Sequence, residues 1–202
     1  MKILLRFTLF ILMIFLTCAT LMALGKLPLT LSPSARFLLG GILTGTVVFG
    51  LLVDFKRIYI IGHELSHWLV AKIFRRKTGK FSIAKNGGSV QIANPNIWIL
   101  LAPYFIPFYS LFCIPLWFIL KYIVRDFPYK EESFFVILGL SFAYHFVMTF
   151  KALRQEQTDL KKYGVLFSLC MITCLNSLLI YGITALCNIS LWQSVKIWAQ
   201  QA

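Results

Sequence analysis

His63, Glu64 and His67, in the stretch Gly62-His63-Glu64-Leu65-Ser66-His67-Trp68, are the residues of this chain whose types and spacing are best suited to chemistry. They read H-E-x-x-H. On a helix, positions four apart lie about 40° from one another around the axis, so two imidazoles converge on one point with the carboxylate just to the side. Neutral imidazole nitrogens bind Zn²⁺ while leaving coordination positions open, and a nearby carboxylate can take a proton from a water attacking a peptide carbonyl. The spacing therefore reads as a metal pair plus a general base. A chance match is the competing explanation, but the parts are scarce: the chain holds only three histidines and seven acidic residues. Ionisable groups inside an apolar segment normally line a cavity or pair with something.

The elements that must position these residues belong to a membrane protein. Of 202 residues, 59% are hydrophobic and 13% charged, and the mean hydropathy is +0.79. A soluble domain of this size cannot bury that much apolar surface, so the expectation is an all-α polytopic membrane protein with no room for a separate soluble domain. The net charge of +13 comes from short basic clusters between apolar runs. Loops facing the cytoplasm and anionic lipid account for such clusters, and nucleic-acid binding is not expected. The five cysteines all fall within apolar segments, which argues against a disulfide framework.

Six spans are expected, over about 3–24, 37–53, 58–74, 97–123, 133–150 and 163–187, with the motif in the third. The first run is long for a signal peptide and shows no small-x-small cleavage site, so it reads as a retained span. Between 80 and 95 the pattern changes: Phe81 and Ile83, then Asn86-Gly87-Gly88, then Val90 and Ile92. Period-two apolar positions on both sides of an Asn-Gly-Gly turn predict a short β-hairpin directly after the third span. Pro103, Pro107 and Pro115 predict breaks in the fourth span, which either open a path to a buried site or only shape packing. Residues 191–198, with Trp192 and Trp198, read as an interfacial helix. The loops after spans one, three and five hold the larger share of Lys and Arg, which puts the motif's basic end, the hairpin and Asp159 at the cytoplasmic face. Lys2 and Arg6 argue for the opposite placement of the N-terminus.

A catalytic zinc usually has three protein ligands and a water, so two histidines leave one ligand to find. Asp54, Asp126, Glu131 and Glu132 fall on loops assigned to the opposite face; Glu156, Asp159 and His145 remain. His145 lies six residues, about 9 Å of helix, from Lys151, a depth comparable to that of His67. Asp159 precedes the last span, on a connector that can carry it inward. Each also has a plain structural role available, as a hydrogen-bonded core histidine or a solvated helix N-cap.

With these residues in view, the chain resembles the site-2 protease class, the M50 family of intramembrane zinc metallopeptidases. The likeness rests on His63-Glu64-Leu65-Ser66-His67 in an apolar segment, the Gly87-Gly88 hairpin after it and an Asp before a later span. It covers most of the region from Ile58 to Asp159. The resemblance implies that His63 and His67 bind Zn²⁺, that Glu64 activates water and that Asp159 supplies the third ligand. It also implies that Asn86-Gly87-Gly88-Ser89 forms a β-loop presenting a strand edge to substrate. One departure stands out: the family's Asp lies in an N-P-x-x-D-G or L-D-G setting, whereas here the run is Gln157-Thr158-Asp159-Leu160, and Asn94-Pro95 has no Asp after it. His145 stays open as the alternative ligand.

The expected function is therefore zinc-dependent cleavage of a transmembrane protein or peptide, in a lipid bilayer, most naturally a bacterial inner membrane with the site open to the cytoplasm. A non-catalytic protease-like scaffold or a metal carrier is the alternative. Glu64 discriminates, since a carrier needs no general base and a scaffold needs no metal.

Overall fold

The long apolar runs fold as helices and the alternating stretch folds as a hairpin. In chain order the elements are α1 (Ile3–Gly25), α2 (Pro33–Val47, continued by a π-helical turn Val48–Leu52), α3 (Lys56–Ile73), β1 (Thr78–Ile83), β2 (Gly88–Ile92), α4 (Ile97–Phe105), α5 (Phe108–Ile123), α6 (Lys130–Leu153), α7 (Thr158–Lys161) and α8 (Val165–Asn188). This computed structural model describes residues 3–25, 32–53, 55–84, 87–124, 130–155, 157–188 and 199–200. Asp54, Asn86, Asp126, Glu156 and the expected interfacial helix over 191–198 lie outside the described residues. The chain divides into two compact units, Met1–Arg36 with Leu160–Ala202, and Phe37–Asp159.

Among the described residues, four helices are long and apolar enough to cross a membrane: Leu5–Gly25, Pro33–Leu52, Glu131–Leu153 and Val165–Thr184. A fifth crossing is available if α4 and α5, bent by 68° at their junction, count as one broken span. The helix carrying the motif is not among them. Lys56, Arg57, Glu64 and Lys72 give α3 more charge than an ordinary crossing helix carries, and this is where the expected six spans and the structure differ.

In the first unit α1 and α8 run parallel. The Arg6 guanidinium lies 5.7 Å from the centre of the Tyr163 ring, just before α8, and the Cys170 thiol points at the Phe10 carbonyl at 4.0 Å.

The second unit holds everything that positions the motif. α3 ends in a Schellman-type cap: the Arg76 amide donates to the Ala71 carbonyl at 2.8 Å and the Arg75 amide to Lys72 at 2.9 Å, with Arg75 left-handed at φ 52°. The chain then turns into the antiparallel hairpin, with Phe81 opposite Val90, Ser82 opposite Ser89 and Ile83 opposite Gly88. The predicted hairpin is present, two residues earlier at its start. Asn94, at φ 47°, turns the chain out of β2, and the Asn96 side chain then caps α4 by accepting the Ile99 amide at 3.0 Å. Val70 and Ala71 of α3 pack against Ile99 and Ala102 of α4, with Ile92 of β2 alongside.

Of the three prolines, Pro107 makes the break. Ile106 before it is extended (φ −92°, ψ 111°), as steric crowding by a following proline requires, whereas Pro103 and Pro115 lie inside helices. The start of α3 is tied down by side chains from α5 and α6, through Tyr109 Oη to the Ile58 carbonyl at 2.5 Å and Tyr144 Oη to the Phe55 carbonyl at 2.9 Å.

Candidate metal centre

One helical turn of α3 presents His63 and His67 on a common face, their ring centres 4.9 Å apart. Asp159, at the start of α7, meets them there. Its Oδ2 lies 3.7 Å from His63 Nε2 and 3.4 Å from His67 Nε2. Donor atoms about 2.0–2.2 Å from a tetrahedral ion sit about 3.3–3.6 Å from one another, so these separations fit a single small cation. Among the described residues, His63, His67 and Asp159 form a group that could hold a metal ion, with donor atoms within 4.8 Å of one another.

The remaining ring nitrogens are committed in the way metal-binding histidines require. His67 Nδ1 donates to the Ile99 carbonyl at 2.7 Å, and His63 Nδ1 lies 3.3 Å from Tyr59 Oη. The carbonyl acceptor holds the His67 proton on Nδ1 and leaves its Nε2 lone pair free for a metal. The Asp159 carboxylate accepts from Tyr104 Oη at 3.2 Å. In the metal-free site burial would raise the pKa of Asp159, but His63 and His67 when protonated on Nε2 outweigh it by hydrogen bonds and charge and hold the carboxyl below the ordinary carboxylate range. The group thus offers an ionised carboxylate and two oriented imidazoles, a donor set that suits zinc.

Glu64 is 7% exposed and lies between the two histidines in sequence but outside the group of donors. Its side chain runs against Gly88 at the start of β2: a Cβ placed on Gly88 would come 2.6 Å from Glu64 Cγ and 2.8 Å from Ile60 Cγ2. Only glycine allows the hairpin this close. Gly62 has a similar role on the other side of α3, where the Tyr109 ring occupies the space of the missing side chain.

Two cavities flank the motif. One of about 320 Å³ is lined by His63, Glu64, His67, Asp159 and the β2 residues Gly88, Ser89 and Val90. The other, about 300 Å³, is lined by Glu64, Gly87, Gly88, Lys56, Lys151 and Gln155 among others. The space next to the donors is therefore bounded on one side by a strand whose second edge is unpaired among the described residues.

Of the two third-ligand alternatives, the structure brings Asp159 to the histidines and leaves His145 out of the group. His145 is buried on α6 and borders a void of only about 20 Å³, together with Gly62, His63 and Ser66. Gly87, Gly88 and Ser89 line the cavity walls, and Glu131 is engaged elsewhere in an ion pair with Lys121 at 2.7 Å. The supporting residues Tyr59, Tyr104 and Gln157 were not anticipated. Tyr59 was legible, since it stands one helical turn before His63. Nothing in the spacing of the sequence marks Tyr104.

Comparison of the chain with protein-family models, with curated proteins and with solved structures finds no match, so the assignment of this site rests on its geometry and on the sequence motif.

Proposed function

We propose that the chain is a zinc-dependent endopeptidase of the site-2 protease (M50) class that cleaves peptide bonds in or near transmembrane segments of membrane-protein substrates. The observation that carries this reading is the buried Glu64 carboxylate standing beside a His63–His67–Asp159 donor group in one cavity. A metal carrier has no use for that carboxylate, and a scaffold has no use for the donor group.

Zinc held by these three residues would supply Lewis acidity toward a peptide carbonyl and acidify a nearby water. Glu64 takes the proton of the attacking water and returns it to the leaving amide nitrogen. The open edge of β2 supports an extended substrate by main-chain hydrogen bonds, which requires the substrate helix to unwind locally. The Ile99 carbonyl keeps the His67 imidazole in the Nδ1–H tautomer, and Tyr59 Oη stands 3.3 Å from His63 Nδ1.

In liposomes holding the purified protein and a single-span substrate, cleavage is expected to stop on adding 1,10-phenanthroline and to return with zinc. Cleavage that persists with the metal stripped would defeat the proposal. Gly88→Ala is expected to slow cleavage about 10- to 100-fold with metal content unchanged, because the added methyl must push Glu64 or the strand out of place. Gly40→Ala, in α2, where a Cβ meets nothing within 4 Å, is the control and should retain its rate.

A further inference from the structure

Both residues that complete the donor group beside His63 are hydrogen-bonded to α4, His67 to the Ile99 carbonyl and Asp159 to the Tyr104 hydroxyl. In an α-helix the carbonyl of residue 99 would accept from the amide of residue 103. Residue 103 is proline, inside α4, and has no amide proton to give. Its ring also crowds the carbonyl four residues back and tilts it away from the helix axis. That carbonyl, Ile99 O, is the acceptor of the His67 Nδ1 proton at 2.7 Å. The next residue, Tyr104, is fully buried, with its hydroxyl 3.2 Å from Asp159 Oδ2 and 3.1 Å from Gln157 Oε1. Gln157 is itself anchored by its Nε2, which donates to the Ala152 carbonyl at 3.1 Å.

We infer that Pro103 and Tyr104 are positioning residues for the metal: Pro103 frees and aims the Ile99 carbonyl that orients His67, and Tyr104 holds Asp159 Oδ2 in line with both imidazoles. The inference rests on the proposed metal site and adds to it the element that sets ligand geometry. It explains why a helix-breaking residue sits in a short helix packed tightly on α3. A proline kept for packing alone would leave the histidine partner to chance. Here the carbonyl that loses its helical donor to Pro103 is the one that the histidine uses.

The test is metal affinity, measured in detergent by competition of zinc against a chromophoric chelator, for the full chain and for Pro103→Ala, Tyr104→Phe and Asp159→Ala. Loss of a group supporting a ligand weakens metal binding by about 10- to 100-fold, and that is the expected change for each of the first two variants. Pro103→Ala should melt no lower than the parent protein, since alanine is the better helix former, so weaker binding there cannot be put down to unfolding. Combined with Asp159→Ala, the Tyr104→Phe effect should vanish, because its target is gone; an effect persisting in full would assign Tyr104 to general packing. A spectroscopic readout is the His67 Nδ1–H resonance of the zinc-bound protein, which the hydrogen bond to the Ile99 carbonyl shifts downfield and which should move back upfield in Pro103→Ala. Parental zinc affinity in either single variant, or an unchanged His67 Nδ1–H resonance in Pro103→Ala, overturns the inference while leaving the metal site standing. Absence of zinc binding by the parent protein overturns the site itself.

Discussion

Glu64→Gln is expected to lower substrate cleavage by about 10²–10⁴-fold, the range that a positioned general base contributes, while zinc content stays that of the parent protein. Metal holding and proton transfer fall to different residues here. His63, His67 and Asp159 form the donor group without Glu64, so exchanging one carboxylate oxygen for an amide nitrogen leaves all three donors in place. Glutamine has the same shape, and the close approach of Gly88 to the side chain at this position is preserved. What is lost is the ability to accept a proton. Cleavage assays in liposomes, paired with elemental analysis of the same sample, check both halves. Full activity in this variant would remove Glu64 from the chemistry, and loss of zinc together with activity would make it a structural support for the metal.

Asp159→Ala is expected to weaken zinc binding by more than about 100-fold, beyond the loss caused by removing a supporting hydrogen bond, and to abolish cleavage with it. Among the described residues, Asp159 Oδ2 is the carboxylate oxygen that reaches both histidines, 3.7 Å from His63 Nε2 and 3.4 Å from His67 Nε2. Without it two neutral imidazoles remain, too few donors for a catalytic zinc site of the usual kind. His145→Ala is the companion measurement. That side chain borders a void of about 20 Å³ and stands outside the donor group, so zinc content should not change. A reversal, with zinc lost in His145→Ala and kept in Asp159→Ala, would transfer the third ligand to α6.

Much of this arrangement is legible in the sequence because it depends on local periodicity. The four-residue spacing of His63 and His67 is a property of any helix. The Asn-Gly-Gly turn between alternating apolar positions specifies a hairpin wherever it occurs, and the apolar runs specify helices whatever they pack against. The choice between Asp159 and His145 is of a different kind: both are about as far along the chain from the motif as a helix pair can place them, and only the path of the connector decides. The expectation of six spans counted the apolar run 58–74 as one of them, whereas α3, which carries Lys56, Arg57, Glu64 and Lys72, is not among the four described helices long and apolar enough to cross a membrane. The three prolines illustrate the limit most clearly. Sequence marks all of them as possible breaks, yet Pro107 bends the chain, Pro115 is absorbed by its helix, and Pro103 leaves a carbonyl for a histidine 32 residues earlier in the chain.

The most direct test of the account is X-ray absorption at the zinc K-edge on the parent protein purified in a mild detergent without added metal. The prediction is one zinc per chain, with a shell of nitrogen and oxygen at about 2.0–2.1 Å, outer-shell scattering from two imidazoles and no sulfur. A protein without zinc, or a shell requiring three imidazoles, would contradict it.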